Sequence, residues 1–477
     1  MMGESGQGSN KIIVGIVLAV LTFWLFAQSM INIIPVMQKD LGVTLGTLNI
    51  STSLTALFSG LFIVVAGGIS DRSGRKKLTY IGLLLSIIGS LLLIVSNNAT
   101  ILITARAIQG ISAACIMPAT LSLISSNFEG KGRQRALSFW SFGSWGGGGL
   151  TAIVGGAIAT YMGWRWIFIV SIAVTLLSMF LLRDIKESKA ENLKKKKFDF
   201  TGFFIFTIAI LMINIVVTRG QDFGWTNLLT ITLIVGAIAA TILFFAVERK
   251  KKNQFIDFSI FKIGAYTGSV VSNFFQNGIF ATIVVTNTYG QMARGFTPFQ
   301  TGLLTVGNVI AILVMIRVGE KMLQKMGAKK PMLIAIVISM IGMSMTAMTF
   351  LPDLAYIIVV FIGFLIAGIG IGMYATPSID TAIANIPDDK VGIASGIYKM
   401  ASSLGYAFGL SITTAVFGVL LASNIHLAAS IGVLVNVIFA VMALIFITKF
   451  VHHSEGLEEV DSTETKQVSK DLAANQN

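Results

Sequence analysis

Charge is scarce in this chain. Only 12% of its 477 residues are Asp, Glu, Lys or Arg, against about 25% in a soluble globular domain. With 54% hydrophobic residues, most of the chain has no water to face. An ordinary soluble fold is excluded, and the class is all-α integral membrane. Cysteine is almost absent: Cys115 stands alone, so no intrachain disulfide can form. Three histidines, His426, His452 and His453, leave no ligand cluster for a metal. No G-x-x-x-x-G-K-[ST] phosphate loop occurs, which excludes a single-chain ATP-driven pump. A membrane enzyme needs a nucleophile–base pair or metal ligands at depth. Cys115 has no histidine near it in sequence, and His426 begins an apolar run alone, so no enzyme is expected. Acids are missing where they would be most telling. All 22 lie in tails, loops or run ends, so no run carries a titratable acid at its middle, and Asn and Gln cannot titrate in its place.

What is present is apolar length. About 20 apolar residues cross a bilayer as a helix, and by that measure fourteen runs can be drawn. They cover 12–34, 47–69, 78–95, 100–124, 137–161, 164–182, 201–218, 227–247, 266–289, 299–317, 331–351, 354–376, 391–421 and 426–448. The start, Met1 to Asn10, has no basic segment or small-residue cleavage site, so the first run reads as a retained span. The net charge of +13 is explained by sidedness. With the N-terminus inside, all but six of the 35 lysines and arginines fall on that side. Lys39, Arg165, Arg219 and Arg294 fall opposite, and Arg106 and Lys399 fall within runs. This bias predicts a multi-pass membrane protein with both termini cytoplasmic and excludes a nucleic-acid partner. Lys194 to Lys197 read as a solvated linker near headgroups, and the acidic tail from Ser454 as disordered.

Gly67-Gly68-Ile69-Ser70-Asp71-Arg72-Ser73-Gly74-Arg75-Lys76-Lys77 joins the second and third runs. Four cations and one acid lie between two spans, with Gly74 free to make a tight turn. Topology alone needs only cations. The loop therefore reads either as a topology signal alone or, given the acid among the cations, as a moving joint with Gly67, Asp71, Arg72, Gly74 and Arg75 as its gating residues. Leu323 to Lys330 echoes Ser70 to Lys77. Pro118 has a counterpart in Pro377, and glycine-rich runs follow both prolines. Spans 1–6 therefore look duplicated as spans 9–14. The expected segments are 1–182 and 263–448 as six-helix halves, 183–262 as linker and two inserted helices, and 449–477 as tail. Paired halves around a midplane site suit a secondary transporter.

Within the runs, Arg106 is costly in hydrocarbon, at about 2.5–3.5 kcal/mol on insertion scales. It either snorkels to the outer edge or faces a protein interior. Lys399, eight residues into its run, either meets an acid or snorkels. Gly143, Gly147, Gly155 and Gly156 are spaced for close helix crossing. A ligand cavity between membrane helices needs aromatic faces and a few neutral polar groups. Phe23, Trp24, Gln28, Asn32, Gln109, Asn273, Gln276 and Asn277 are its candidates. Titratable candidates are Asp71, for gating, and Asp380, which follows Pro377 and is the candidate coupling acid. Glu320 and Asp222 read as solvated loop acids.

Several of these strings resemble known motifs. Residues 67–77 resemble the signature loop G-x-L-a-D-r-x-G-r-k-x of the major facilitator superfamily, with Ile69 for Leu and Ser70 for Ala. Residues 102–114 resemble its second motif, l-x-x-x-R-x-x-q-G-x-x-a-A. The stretch from Gly143 to Gly156 is similar to the antiporter motif g-x-x-x-G-P-x-x-G-G, with Thr151-Ala152 in place of Gly-Pro, which predicts a straighter helix. Trp164-Arg165-Trp166-Ile167-Phe168, Phe198 to Gly202 and Gly224-Trp225 resemble the fourteen-span drug/proton antiporters. Ser138 to Phe168 and Ile397 to Gly409 look most like the Nor-type multidrug pumps of Gram-positive bacteria. The span-1 Asp found in many such relatives is absent here, although Asn32 and Pro35 survive.

This resemblance, over residues 12–448, implies a proton-coupled exporter of amphipathic compounds such as fluoroquinolones and dyes. Arg106 would govern the proton-linked step together with Asp380 and Asp71. The coupling ion would be H+, no cofactor would be needed, and the protein would act as a monomer in the lipid bilayer. Lack of mid-span acids fits zwitterionic or weakly charged substrates better than dications. Export of a native lipid or metabolite, or a non-transporting sensor, are the other readings.

Overall fold

A chain crossing lipid must satisfy every backbone N–H and C=O internally, so long apolar runs become helices. The computed structural model describes residues 5–43, 45–189, 199–251, 255–256, 258–296 and 298–452. Among these residues the chain is helical, with no strand. The helices are α1 Ser5–Leu21, α2 Ile34–Leu41, α3 Leu45–Ser73, α4 Arg75–Ile94, α5 Ala99–Asn127, α6 Gly130–Ser141, α7 Gly147–Tyr161, α8 Arg165–Leu182 and α9 Phe200–Phe223. They continue as α10 Leu228–Glu248, α11 Gly264–Ala281, α12 Ile283–Arg294, α13 Pro298–Leu304, α14 Val306–Met326, α15 Lys329–Met345, α16 Asp353–Ala384, α17 Val391–Leu421 and α18 Ile425–Phe450.

Eleven helices among the described residues are long and apolar enough to cross a membrane, where fourteen runs were expected. The three runs not among them are 137–161, 201–218 and 331–351. The first is helical with a π turn at Phe142–Gly146 between α6 and α7, and the second lies within the single helix α9; several side chains of both lie outside the described residues. That at 331–351 is helical through Met345, in a helix of 17 residues. Lys194 to Lys197 and the tail from Ser454 lie outside the described residues.

The described residues form two compact units. One holds the chain up to Asn127, Phe139–Ile260 and Ile386–Ser411; the other holds Phe128–Ser138, Phe261–Asn385 and the chain from Ile412. Each unit therefore includes a helix start from the opposite half of the sequence. The first has a core around Met30, Leu102, Trp164 and Phe168, and the second one around Tyr289, Met332, Tyr356 and Phe364.

The internal echo corresponds to repeated packing. In the first unit α5 lies along α3, and a side chain at Gly110 would strike the Thr55 carbonyl. In the second, α16 lies along α14, and one at Gly368 would strike the Asn308 carbonyl. Both long helices carry an internal proline, Pro118 and Pro377. Large apolar side chains such as Leu228, Val235 and Ile242 of α10 are exposed. That suits a lipid-facing surface, since water would leave them a large unfavourable patch.

Candidate functional site

The Gly67–Lys77 segment proves to be almost entirely helical. Asp71 and Arg72 sit in the last turn of α3, Arg75 opens α4, and Gly74 alone breaks the helix at φ +120°. Only glycine tolerates that backbone. Asp71 is 1% exposed. Its carboxylate accepts from the backbone N–H of Gly392 at 3.1 and 2.9 Å and from that of Ile393 at 3.2 Å. These are the first free donors of α17, where the helix dipole favours a negative charge. Arg75 stands 3.5 Å from the same carboxylate and donates to the Asp388 carbonyl. Gly67, mid-helix in α3, is where the backbones meet: a Cβ there would run into the Gly392 carbonyl.

Asp380, near the end of α16, is buried and also engaged across the sequence. Arg133 Nε lies 3.1 Å and Gln134 Nε2 3.4 Å from its carboxylate. Glu320 is not the solvated loop acid expected. It is 4% exposed within α14, paired with Arg317 and hydrogen bonded by Gln324 Nε2 at 3.3 Å. Gly327, in the echoed turn, also takes a positive φ of +71°.

Arg106 is fully buried, which rules out snorkelling. Its Nη1 donates to the Ala27 carbonyl at 2.8 Å and to Gln109 Oε1 at 2.6 Å, while Nε and Nη2 have no hydrogen-bond partner. Ala27 belongs to an irregular stretch that breaks the first span. After α1, a π turn runs over Thr22–Phe26 and a 3-10 segment over Ala27–Asn32. Such interruptions free backbone groups, and they cluster at functional sites in membrane helices. Thr151 Oγ1 lies 2.7 Å from the Gly148 carbonyl and 3.1 Å from that of Trp24. α7 runs as continuous α-helix through Thr151-Ala152, and a π turn at Phe142–Gly146 precedes it.

The glycines of α7 and its preceding turn lie against that broken span. A Cβ at Gly143 would touch Val17, at Gly147 Leu21 and Trp24, and at Gly155 Ser29. Gly156 would meet nothing within 4 Å, so it is no crossing point. Phe23 packs edge-on to Trp24 at 5.2 Å, and Gln28 is half-buried in the 3-10 segment. Lys399 neither snorkels nor finds an acid. It is 8% exposed, with Nζ 4.9 Å from the Trp140 ring centre and 5.7 Å from that of Trp24.

In the second unit, α11 carries Asn273, Gln276 and Asn277, all buried. Gln276 Nε2 donates to Ser339 Oγ at 2.9 Å, and Asn277 Nδ2 to Asn273 Oδ1 at 3.1 Å. Their neighbours are neutral hydroxyls, with Ser272 and Tyr374 in hydrogen-bond contact at 2.6 Å. The side chains of Asn32 and Asp222 lie outside the described residues.

Sequence reasoning missed three groups. Arg133 counted only as one of the cytoplasmic-side cations and Gln134 carried no signal, although their basic-polar run opens α6. Glu248 was read as a span end. It is fully buried, accepts from the Phe255 N–H at 2.6 Å and lies 3.6 Å from Lys251. Trp164-Arg165 stood in the sequence only as part of a resembling string, but it ties three segments together. Trp164 Nε1 donates to Asp40 at 3.0 Å, Arg165 pairs with Asp40, and Arg165 also holds the Ile94 and Ser96 carbonyls. The Trp164 hydrogen bond, then Arg165, holds the Asp40 carboxyl below its usual range.

These helices and buried charges define a polytopic helical membrane protein with an internally repeated packing plan. The Major Facilitator Superfamily model matches residues 13–250, 201–410 and 263–473, and the chain belongs to that superfamily. Quinolone resistance protein NorB of Staphylococcus aureus (strain COL) is 49% identical over 445 residues, covering 93% of this chain and 96% of that protein. The protein of the same name in strain JH9 has the same identity and coverage. Among solved structures, the proton:xylose symporter XylE superposes with a TM-score of 0.67 at 17% identity, covering 96% of this chain and 99% of that one. That likeness concerns the fold alone.

Proposed function

We propose that this chain is a proton-coupled multidrug exporter of the bacterial cell membrane. It carries amphipathic compounds such as fluoroquinolones and dyes outward in exchange for H+. The observation that carries this reading is the near full-length 49% identity to quinolone resistance proteins. We take the chain to cross the membrane fourteen times, as two six-helix halves (1–182 and 263–448) and two inserted helices. Both termini lie in the cytoplasm, as the one-sided cations favour. It acts as a monomer and needs no cofactor, and it is a transporter rather than an enzyme.

Export proceeds by alternating access. Asp71 at the start of α17 and Asp380 on Arg133 latch one conformation, and drug and proton bias the two conformations oppositely. Without that difference neither ligand would move the other. Arg106, holding the broken first span through Ala27 O, links proton binding to the movement of that span. Titration of a nearby carboxyl group follows its distance from this fixed cation.

Liposomes holding the purified protein test the reading. With a transmembrane pH gradient imposed, norfloxacin should accumulate against its own gradient and leak back when the pH gradient is collapsed. Accumulation indifferent to the pH gradient would remove proton coupling. No drug movement under any gradient would remove the exporter reading.

A further inference from the structure

Two side chains carry buried positive charge in the first unit without a carboxylate. Among the described residues, neither Arg106 nor Lys399 has an ion-pair partner. Arg106 has a carbonyl and an amide oxygen to donate to. Lys399 has only the faces of Trp140 and Trp24. An ammonium has three donors, and an aromatic face replaces only part of the hydration it loses on burial. No hydrogen-bond acceptor within the described residues serves Nζ, although the residue is more than nine-tenths buried. A second donor beside it is also unserved. Trp24 Nε1 is buried without a partner, whereas Trp140 Nε1 donates to Thr120 Oγ1 at 2.9 Å.

The seat is constructed rather than incidental. The Trp24 carbonyl lies 3.1 Å from Thr151 Oγ1, whose single proton it shares with the Gly147 and Gly148 carbonyls, and a Cβ at Gly147 would fall 3.0 Å from Trp24 Cβ. Trp24 itself lies in the π turn that interrupts the first span. Gly147, which has no side chain, lets Trp24 pack against α7. An ammonium seated against two indole rings suits an aromatic molecule bearing an anionic substituent, since the ammonium takes the charge.

The geometry points to Lys399, between Trp24 and Trp140, as the seat for the carboxylate of an aromatic acid or zwitterion carried by this protein. The inference rests on the exporter reading and narrows it. It selects compounds by a carboxylate on an aromatic frame, where dyes with a fixed positive charge meet no counter-ion at this point.

A matched pair of compounds tests it: norfloxacin and its ethyl ester, which keeps the ring system and loses the anion. Transport in liposomes and equilibrium dialysis on the purified protein would both be measured for wild type, Lys399→Gln and Lys399→Arg. In wild type the acid should be favoured over the ester. In Lys399→Gln the acid-to-ester ratio should fall by roughly 30-fold, the low end for removing one partner of a desolvated charge pair. Lys399→Arg, which keeps the charge, should restore part of the ratio. Equal loss of acid and ester in a variant with unchanged thermal unfolding would overturn the assignment, as would an unchanged ratio. If wild type transports neither compound, the exporter reading fails by itself. The dialysis ratio then still decides the carboxylate seat, a preserved ratio in Lys399→Gln counting against it.

Discussion

Asp71 and Asp380 both reach across the sequence, and they do so by different chemistry. Asp71 is addressed by backbone, the N–H groups of Gly392 and Ile393 at the start of α17. Asp380 is addressed by side chains, Arg133 and Gln134 of α6. The first contact is sealed, with Asp71 at 1% and Arg75 at 3% exposure. The second is more open, its Arg133 side chain being 21% exposed. A carboxylate on a helix start can be matched only by a backbone approach close enough to need glycine on both helices. A carboxylate on an arginine depends on two replaceable side chains. The Asp71 contact is therefore the more stringent of the two, and the Asp380 contact the more adjustable.

Substitutions should separate them. The largest effect is expected at Asp71→Ala, which strips the α17 start of its counter-charge and leaves Arg75 buried without its acid, at a cost of about 3–5 kcal/mol. In a Cys115→Ser background, a cysteine placed at buried Ser395 should then be alkylated roughly a hundredfold faster or more. An unchanged rate would show that the contact does not hold α17. Gly392→Ala comes next, because its Cβ would meet the Gly67 carbonyl and the Asp71 carboxylate. Overpacking of this kind costs about 2–3 kcal/mol, visible as a lower Tm and slower transport.

For the second contact, Arg133→Asp or Asp380→Arg alone should cost about 1–2 kcal/mol, and the double exchange should recover most of it. No side-chain exchange should rescue Asp71→Lys. Rescue at the first contact, or none at the second, would dissolve the distinction between them. The smallest effect is expected at Asp40→Asn, away from both contacts. The Asp40 carboxyl is held below its usual value near 3.8, so its contribution is complete above that value and lost as pH falls through the lowered one. The variant's Tm should sit slightly below wild type at pH 7, by an exposed pair's worth of about 1 kcal/mol or less. The two should converge under strong acid.

Much of this was readable from residues and some was not. Gly74 marked the α3–α4 turn because a tight reversal between spans needs positive φ, and the Leu323–Lys330 echo marked its repeat at Gly327. Arg106 was conspicuous because arginine is costly in hydrocarbon. The partner of Asp71 had no such signal, since every residue has a backbone N–H and only the fold selects Gly392. Glu320 was misread because its surroundings in sequence are charged, while its helix continues past it and buries it. The break at Thr22–Phe26 falls in an apolar run with no proline before Pro35, so nothing local announces it. Lys399 lay in plain view, but its neighbours Trp24 and Trp140 come from distant spans. The run at 331–351 had the composition of a span, yet its helix ends at Met345.

The exchange of drug for proton is the claim on which the rest depends. The most direct measurement places the purified protein in liposomes with an internal pH dye and no imposed gradient, then adds norfloxacin. Substrate-triggered proton movement in wild type, lost in Arg106→Ala while equilibrium binding of norfloxacin persists, is the predicted result. Norfloxacin that binds and crosses the membrane with no movement of protons would contradict it.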